Sequence, residues 1–356
     1  MLLLPASCFL SKGEPRCFCR SLLSMNVTMR RAGIIGLGVY VPPKVLTNDE
    51  LARMVDTSDE WITSRTGIKR RHLAGPDEAT SDLALIAARR ALEDAGVSAA
   101  DLDLIIVGTA TPDMYFPATA CLVQDRIGAT QAGAFDLLAA CSSFVYGLIS
   151  AGQLITSGAI NRALVIGAET LSRLIDWEDR RTCVLIGDGA GAAVLGPVDD
   201  GTGIYSGGVG ADGSAGDVLK VVAGGSRMPM TFEALERKLH RAYMDGQAVF
   251  KLAVRTIPDL IKKTVAQAGW TLDDIDRIVP HQANLRIIES MVAQLNLPME
   301  KFVVNIQEYG NTSAASVPLA LYEAVQAGQI RKGDRIVLAA FGGGFTYAAC
   351  ALVWGK

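Results

Sequence analysis

The chain is poor in charge bias, in histidine and in patterned cysteine, and each shortage removes a class of function. Its 34 Lys and Arg against 37 Asp and Glu leave a net charge of -3, which argues against a general nucleic-acid surface, and no nucleic-acid-binding module is visible. Cys8, Cys17, Cys19, Cys121, Cys141, Cys183 and Cys350 form an odd set without regular spacing. Cys17 and Cys19 stand too close together for the usual zinc pair, so no metal is expected and reduced thiols in a cytoplasm-like compartment are the simpler reading. The apolar start Leu2-Leu3-Leu4-Pro5 is too short to span a membrane. Its basic residues, Lys12, Arg16 and Arg20, follow it rather than precede it, the wrong order for a secretory signal. For residues 1–30 two readings stand: translation starts at Met25 or Met29, or the segment is an organellar transit peptide that directs the protein to the plastid stroma rather than the cytoplasm. A dinucleotide loop is missing as well. Gly33-Ile34-Ile35-Gly36-Leu37-Gly38 meets Pro42-Pro43 before any helix, and Gly187-Asp188-Gly189-Ala190-Gly191 runs into the strand-like Ala192 to Leu195, whereas such a loop must open a helix.

What is present is a large globular α/β protein. Half of the 356 residues are apolar, enough for an extensive core or two packed domains. From Gly33 onward, short β-branched runs alternate with amphipathic stretches. The chain is also duplicated. Asp94-Ala95-Gly96-Val97 and the strand Asp101 to Val107 return as Gln267-Ala268-Gly269-Trp270 and Asp274 to Pro280, and Asn161 to Ile166 returns as Asp334 to Ala339, all at a constant offset of 173 residues. Matching Ser157-Gly158 to Ala327-Gly328 requires 170 instead, and carried further back that offset sets Cys141 opposite Asn311. The expected organisation is an N-terminal half over residues 31–200 and a C-terminal half over 201–356.

Three reactive side chains stand in small-residue settings: Cys141 in Ala139-Ala140-Cys141-Ser142-Ser143, His281 in Pro280-His281-Gln282-Ala283-Asn284, and Asn311 in Tyr309-Gly310-Asn311-Thr312-Ser313. Each has a bland alternative: a buried core thiol, a structural histidine, a helix cap. As a set they fit acyl transfer. A thiol carries an acyl group as a thioester, and an imidazole and a carboxamide donate hydrogen bonds to an oxygen that becomes negative. Cys141 is expected to open the helix Ser143 to Ile155, where the helix dipole favours thiolate. Phe341-Gly342-Gly343-Gly344-Phe345-Thr346 is either an oxyanion-binding backbone or a plain turn between strands. Trp61, Arg65 and Arg180 suit a base and phosphates. Lys251, Arg255 and Arg286 are candidates for a basic rim, and Lys69-Arg70-Arg71-His72 reads as a charged loop.

Over about residues 31–356 these motifs resemble the β-ketoacyl-acyl-carrier-protein synthase III family: Asp59-Glu60-Trp61-Ile62 with Arg65-Thr66-Gly67-Ile68, Ala140-Cys141, Gly187-Asp188-Gly189-Ala190-Gly191-Ala192, and the His281, Asn311 and Gly343 segments. The resemblance implies a thiolase-like fold of two repeated halves in five α/β/α/β/α layers. It implies Cys141 as the acylated nucleophile, His281 and Asn311 as the pair promoting decarboxylation, and the N–H groups of Cys141 and Gly343 as the oxyanion hole. It further implies that Trp61 and Arg180 sandwich the adenine of coenzyme A with Arg65 nearby. Lys251 and the run Gln282, Ala283, Asn284, Leu285 and Arg286 would dock an acyl carrier protein. Phe116, reaching across a homodimer interface, and Ile186 would wall the acyl pocket. The implied reaction is decarboxylative condensation of a short acyl-CoA with malonyl-carrier protein, with CoA thioester as substrate and no cofactor. A secondary-metabolite ketosynthase, a thioester hydrolase and a non-catalytic carrier-binding subunit are the alternatives. Residues 213–246, expected to help cover the entrance, carry no assigned role.

Overall fold

A computed structural model describes residues 30–199 and 201–356; Met25, Met29 and both readings of the leading segment lie outside them. Residues 31–198 supply β1 (Arg31–Tyr40), β2 (Lys44–Thr47), β3 (Arg70–Leu73), β4 (Leu104–Gly108), β5 (Gly133–Leu137), β6 (Ala163–Glu169) and β7 (Gly189–Val198). Residues 203–353 supply β8 (Gly203–Ala211), β9 (Leu219–Val221), β10 (Ala242–Met244), β11 (Arg277–Pro280), β12 (Arg335–Gly342) and β13 (Thr346–Val353).

The repeat is structural. One sheet runs β1-β7-β6-β4-β5 and the other β8-β13-β12-β11, so each strand of the second has a counterpart in the first, and beside β11 the place of β5 is taken by a single bridge from Ile278 to Phe302. Leu104 faces Ala163 in the parallel pair of the first sheet, and Arg277 faces Ile336 in that of the second; both partners have moved 173 positions. The recurring acid fixes this register: Asp103 accepts the N–H of Arg162 at 2.9 Å and Asp276 that of Arg335 at 2.8 Å, pinning the start of each neighbouring strand.

Apolar clusters define the layers. The helices Ser143–Thr156 and Ser316–Gln326 bury Phe144, Leu148, Val317 and Leu321 between the sheets. The helices Thr80–Ala95 and Thr119–Ile127 cover the outer face of the first sheet, and Gly246–Gln267 and Leu285–Leu295 that of the second. This is the five-layer arrangement expected. The early glycines serve packing rather than a nucleotide: a Cβ on Gly36 or Gly38 would stand 2.4 Å from the carbonyl oxygen or 2.2 Å from the nitrogen of Ala91 in the covering helix.

Two expectations change. Asn311 is not the counterpart of Cys141. The left-handed turn residues are Ala140 (φ 46°) and Ser313 (φ 49°), again 173 apart, which sets Cys141 opposite Ala314. The offset of 170 holds only after these helices, because the first has 14 residues and the second 11. Nor is the run around Arg71 a charged loop: β3 pairs with β2, and Arg71 is fully buried, donating to the carbonyls of Leu46 and Val184 and to Asn48 Oδ1. Among the described residues no helix is long and apolar enough to cross a membrane.

Candidate active site

Cys141 lies in the tight turn Ala140–Ser142 that enters the helix Ser143–Thr156. Hydroxyls hold this turn. Ser143 Oγ accepts the Ala139 N–H at 2.8 Å, and Thr346 Oγ1, from the other half, donates to the Ala139 carbonyl at 2.7 Å. Burial pushes the thiol up to about 12; the Ser313 hydroxyl opposes that rise and the charge of Glu169 adds to it. Burial thus works against the thiolate that the helix N-terminus favours.

His281 follows β11 and is buried, its ring edge-on to Phe341 at 5.2 Å between centroids. Nδ1 is 2.6 Å from Ser316 Oγ. That oxygen also receives the Gln282 N–H at 3.4 Å; with the hydroxyl proton given to Nδ1, the ring proton is on Nε2. Burial lowers the imidazole to about 3, so it is a neutral donor. The duplication explains its place: His281 occupies the position of Gly108, where any Cβ would fall 2.6 Å from that of Ser143, and Ser316 is the counterpart of Ser143.

Asn311 is clamped by backbone to the first half, its N–H donating to Leu185 O at 2.7 Å and its carbonyl accepting from Gly187 N–H at 3.0 Å. The Ser313 N–H lies 2.9 Å from the side-chain oxygen. Since that N–H only donates, the atom facing it must be Oδ1, and the NH2 end is the one left for the cavity.

Cys141, His281 and Asn311 line one cavity of about 670 Å³, together with Met244, Val249, Phe250, Asn284, Gly342 and Phe345. A second, more apolar one of about 810 Å³ shares Cys141 and Asn311 and adds Leu171, Ile175, Ile186 and Gly343. The sulfur and the amide thus stand where two chambers meet. Gly343 follows Gly342, whose Cβ would lie 2.5 Å from the Cys141 nitrogen, so the two backbones run side by side. Residues 213–246 do cover the site: Val218, Leu219, Lys220, Val221, Ala242 and Met244 line it.

The outer residues divide. The guanidinium carbons of Arg65 and Arg180 both lie 5.2 Å from the Trp61 ring centroid, and Arg180 is tied to the carbonyl of Asp56 at 2.9 Å. Ala283 and Asn284 line the cavity, Asn284 also capping the helix Leu285–Leu295. Leu285 packs beside Gly67, and Arg286, exposed, reaches the Ser64 carbonyl. Lys251 is exposed on the helix that contributes Val249 and Phe250. Gln282 departs from its expected place on a docking surface: it is buried, its amide spent on the carbonyls of Pro280 and Val303 and the N–H of Asn305. Phe116 is 84% exposed and lines neither of these two cavities.

Sequence reasoning missed Ser316, Ser313 and Glu169. The 173-residue offset would have found Ser316 opposite Ser143. A single acid closing the apolar strand Ala163–Glu169 was the signal for Glu169. Among the described residues no cluster of His, Cys, Asp or Glu could hold a metal ion.

Comparison with known proteins agrees. Residues 135–213 match the family model for 3-oxoacyl-acyl-carrier-protein synthase III, and residues 265–354 match that for its C-terminal part. The β-ketoacyl-acyl-carrier-protein synthase III of Caldanaerobacter subterraneus subsp. tengcongensis is 54% identical over 325 residues, 91% of this chain and 98% of that protein. The crystal structure of the Aquifex aeolicus VF5 3-oxoacyl-acyl-carrier-protein synthase III is 46% identical with a TM-score of 0.85, covering 91% of this chain and all of that one. The priming β-ketosynthase of the R1128 polyketide pathway is 36% identical with a TM-score of 0.86, covering 92% of this chain and 97% of that one. On sequence identity, coverage and fold together, the chain belongs to the β-ketoacyl-acyl-carrier-protein synthase III family.

Proposed function

We propose that this chain is a condensing acyltransferase that joins a short acyl group from acyl-CoA to malonyl-acyl carrier protein, releasing CO2 and giving 3-oxoacyl-carrier protein, the initiating step of fatty-acid synthesis. The observation that carries this reading is the convergence of Cys141, His281 and Asn311 on one cavity, with the histidine held neutral.

In the first half-reaction Cys141 Sγ attacks the acyl-CoA thioester, the carbon–sulfur bond to CoA breaks, and the thiol proton leaves with CoA. The oxyanion is met by the N–H groups of Cys141 and Gly343. In the second, malonyl-carrier protein enters, and His281 Nε2–H and Asn311 Nδ2–H donate to its thioester oxygen. CO2 departs and leaves an enolate. Its carbon attacks the acyl-Cys141 carbonyl, and the Cys141 thiolate is expelled and reprotonated. A neutral imidazole suits this step, since it stabilises the enolate oxygen without handing it a proton. Each donor contributes about 3 kcal/mol, so loss of one slows decarboxylation roughly a hundredfold.

The apolar chamber with Ile186 takes the acyl chain and the other the pantetheine arm. Trp61 and Arg180, with Arg65, hold the CoA nucleotide; Arg286 and Lys251 face the acidic carrier protein. The chain acts as a homodimer: β5 is an unpaired sheet edge, Phe135 on it and Leu138, Tyr115 and Phe116 nearby are exposed, and such an apolar edge is covered by a second copy. Phe116 then belongs to the partner's acyl pocket.

Incubation with acetyl-CoA and malonyl-carrier protein is expected to give acetoacetyl-carrier protein and one CO2 per turnover. Free acetate without condensation would replace this reading with a hydrolase, and absence of any acyl-enzyme would replace it with a binding subunit.

A further inference from the structure

The half-reactions above leave one buried carboxyl beside the site without a task. Glu169 ends β6 with no exposed surface, and no Lys or Arg pairs with it among the described residues. Its compensation is hydrogen bonds alone. Oε2 accepts from Thr111 Oγ1 at 2.6 Å, Thr109 Oγ1 at 3.3 Å and the Ala110 N–H at 3.1 Å; Oε1 accepts the same N–H at 3.1 Å and Ser313 Oγ at 2.9 Å. Four donors turned on one carboxyl still leave its pKa raised to about 7 by burial.

Three of these donors belong to the first half; Ser313 belongs to the second. Ser313 is held in the left-handed region, at φ 49°, a backbone state that costs a serine energy unless its surroundings enforce it. The Glu169 carboxylate supplies that enforcement through the hydroxyl. The same residue's N–H fixes Oδ1 of Asn311 at 2.9 Å, and a carboxamide presents NH2 to the cavity only while its oxygen is held on the opposite side.

We infer that Glu169 and Ser313 form a positioning pair for decarboxylation: the carboxylate anchors the Ser313 turn, and the turn orients the Asn311 amide toward the malonyl thioester. The inference rests on the donor role given to Asn311 above. Neither residue of the pair is required to touch the thioester; they set the angle of the group that does.

Glu169→Gln tests the link. Oε2 serves the larger set of donors, so glutamine keeps its one oxygen there and turns its NH2 toward Ser313, where an acceptor is needed. Acetylation of Cys141 by acetyl-CoA is expected to stay within about threefold of wild type, while kcat for malonyl-carrier-protein decarboxylation falls about tenfold with KM unchanged. Asn311→Ala alone is expected to lose about a hundredfold, and adding Glu169→Gln to it should cost nothing further, because the two changes remove one interaction. A merely structural glutamate would instead slow both half-reactions, or multiply its loss with that of Asn311→Ala; either result overturns the positioning role while leaving the donor role intact. Full decarboxylation by Asn311→Ala would overturn the donor role, and the positioning role with it. Melting temperatures accompany each variant. If Glu169→Gln does not fold, Ser313→Ala, which keeps the N–H but removes the hydroxyl, is held to the same loss of decarboxylation and the same absence of further loss in that step beside Asn311→Ala.

Discussion

His281 has its chemistry set by where it is buried. Its imidazole sits against Phe341 with Nδ1 occupied by Ser316, and burial holds it to about 3, so in the proposed reaction it donates a hydrogen bond and does not protonate the enolate. Its resonance in labelled protein is expected to show the neutral Nε2–H form without titration from pH 5 to 8; a midpoint near the ordinary histidine value of 6.5 would contradict this. The sign for stability follows: the unfolded chain binds a proton at this residue below about pH 6.5 that the native state refuses until about 3, so His281 makes the fold less stable as the pH drops through that window. Replacing Cys141 with Ser is expected to abolish the acyl-enzyme in mass spectra. Acyl transfer was legible from the residue types of Cys141, His281 and Asn311. The burial that opposes ionisation of the thiol was not, because the helix dipole is visible in a sequence and the packing around the sulfur is not. Nor was the burial of Gln282, whose amide looks as fit for a carrier protein as for the carbonyls it serves.

The elements that hold these residues are turns pressed against strands of the other half. Gly167 in β6 is among the tightest points: a Cβ there would come 2.2 Å from the carbonyl oxygen of Ala314, in the turn after Asn311. Backbone on both sides leaves no flexible side chain to give way. Gly167→Ala is therefore expected to cost about 1–3 kcal/mol in urea denaturation and to slow decarboxylation as the second turn is pushed out; unchanged stability would show that the halves are not interlocked here. The duplication of strands was readable because Asp103 and Asp276 repeat a visible acid at each strand start. The turn alignment was not. Gly158 and Gly328 suggested an offset of 170, and nothing in the sequence said that the three-residue shift lay inside the helix rather than before the nucleophile. Likewise Arg71, among four polar residues, gave no sign that its guanidinium would be buried under backbone carbonyls.

As a whole, the molecule brings Cys141 of one copy of its repeated unit together with His281 and Asn311 of the other at a shared cavity; in the proposed reaction the first copy supplies the nucleophile and the second the donors. The first sheet ends in the bare edge of β5, flanked by the 84% exposed Phe116, and the homodimer proposed above gives completion of the acyl pocket to a second chain. Phe116→Asp is expected to shift sedimentation from dimer to monomer and to weaken acylation by acyl-CoA; a wild-type chain that sediments as a monomer would remove the interface. A chase of the acyl-enzyme is the most direct test of the shared site. Protein acetylated by labelled acetyl-CoA is digested before and after addition of malonyl-carrier protein. The label should appear on the peptide of Cys141 alone and pass entirely into acetoacetyl-carrier protein in the wild type, but remain on Cys141 in His281→Ala and Asn311→Ala. Label on another cysteine, or equal discharge from all three proteins, would contradict a common site for the sulfur and its two donors.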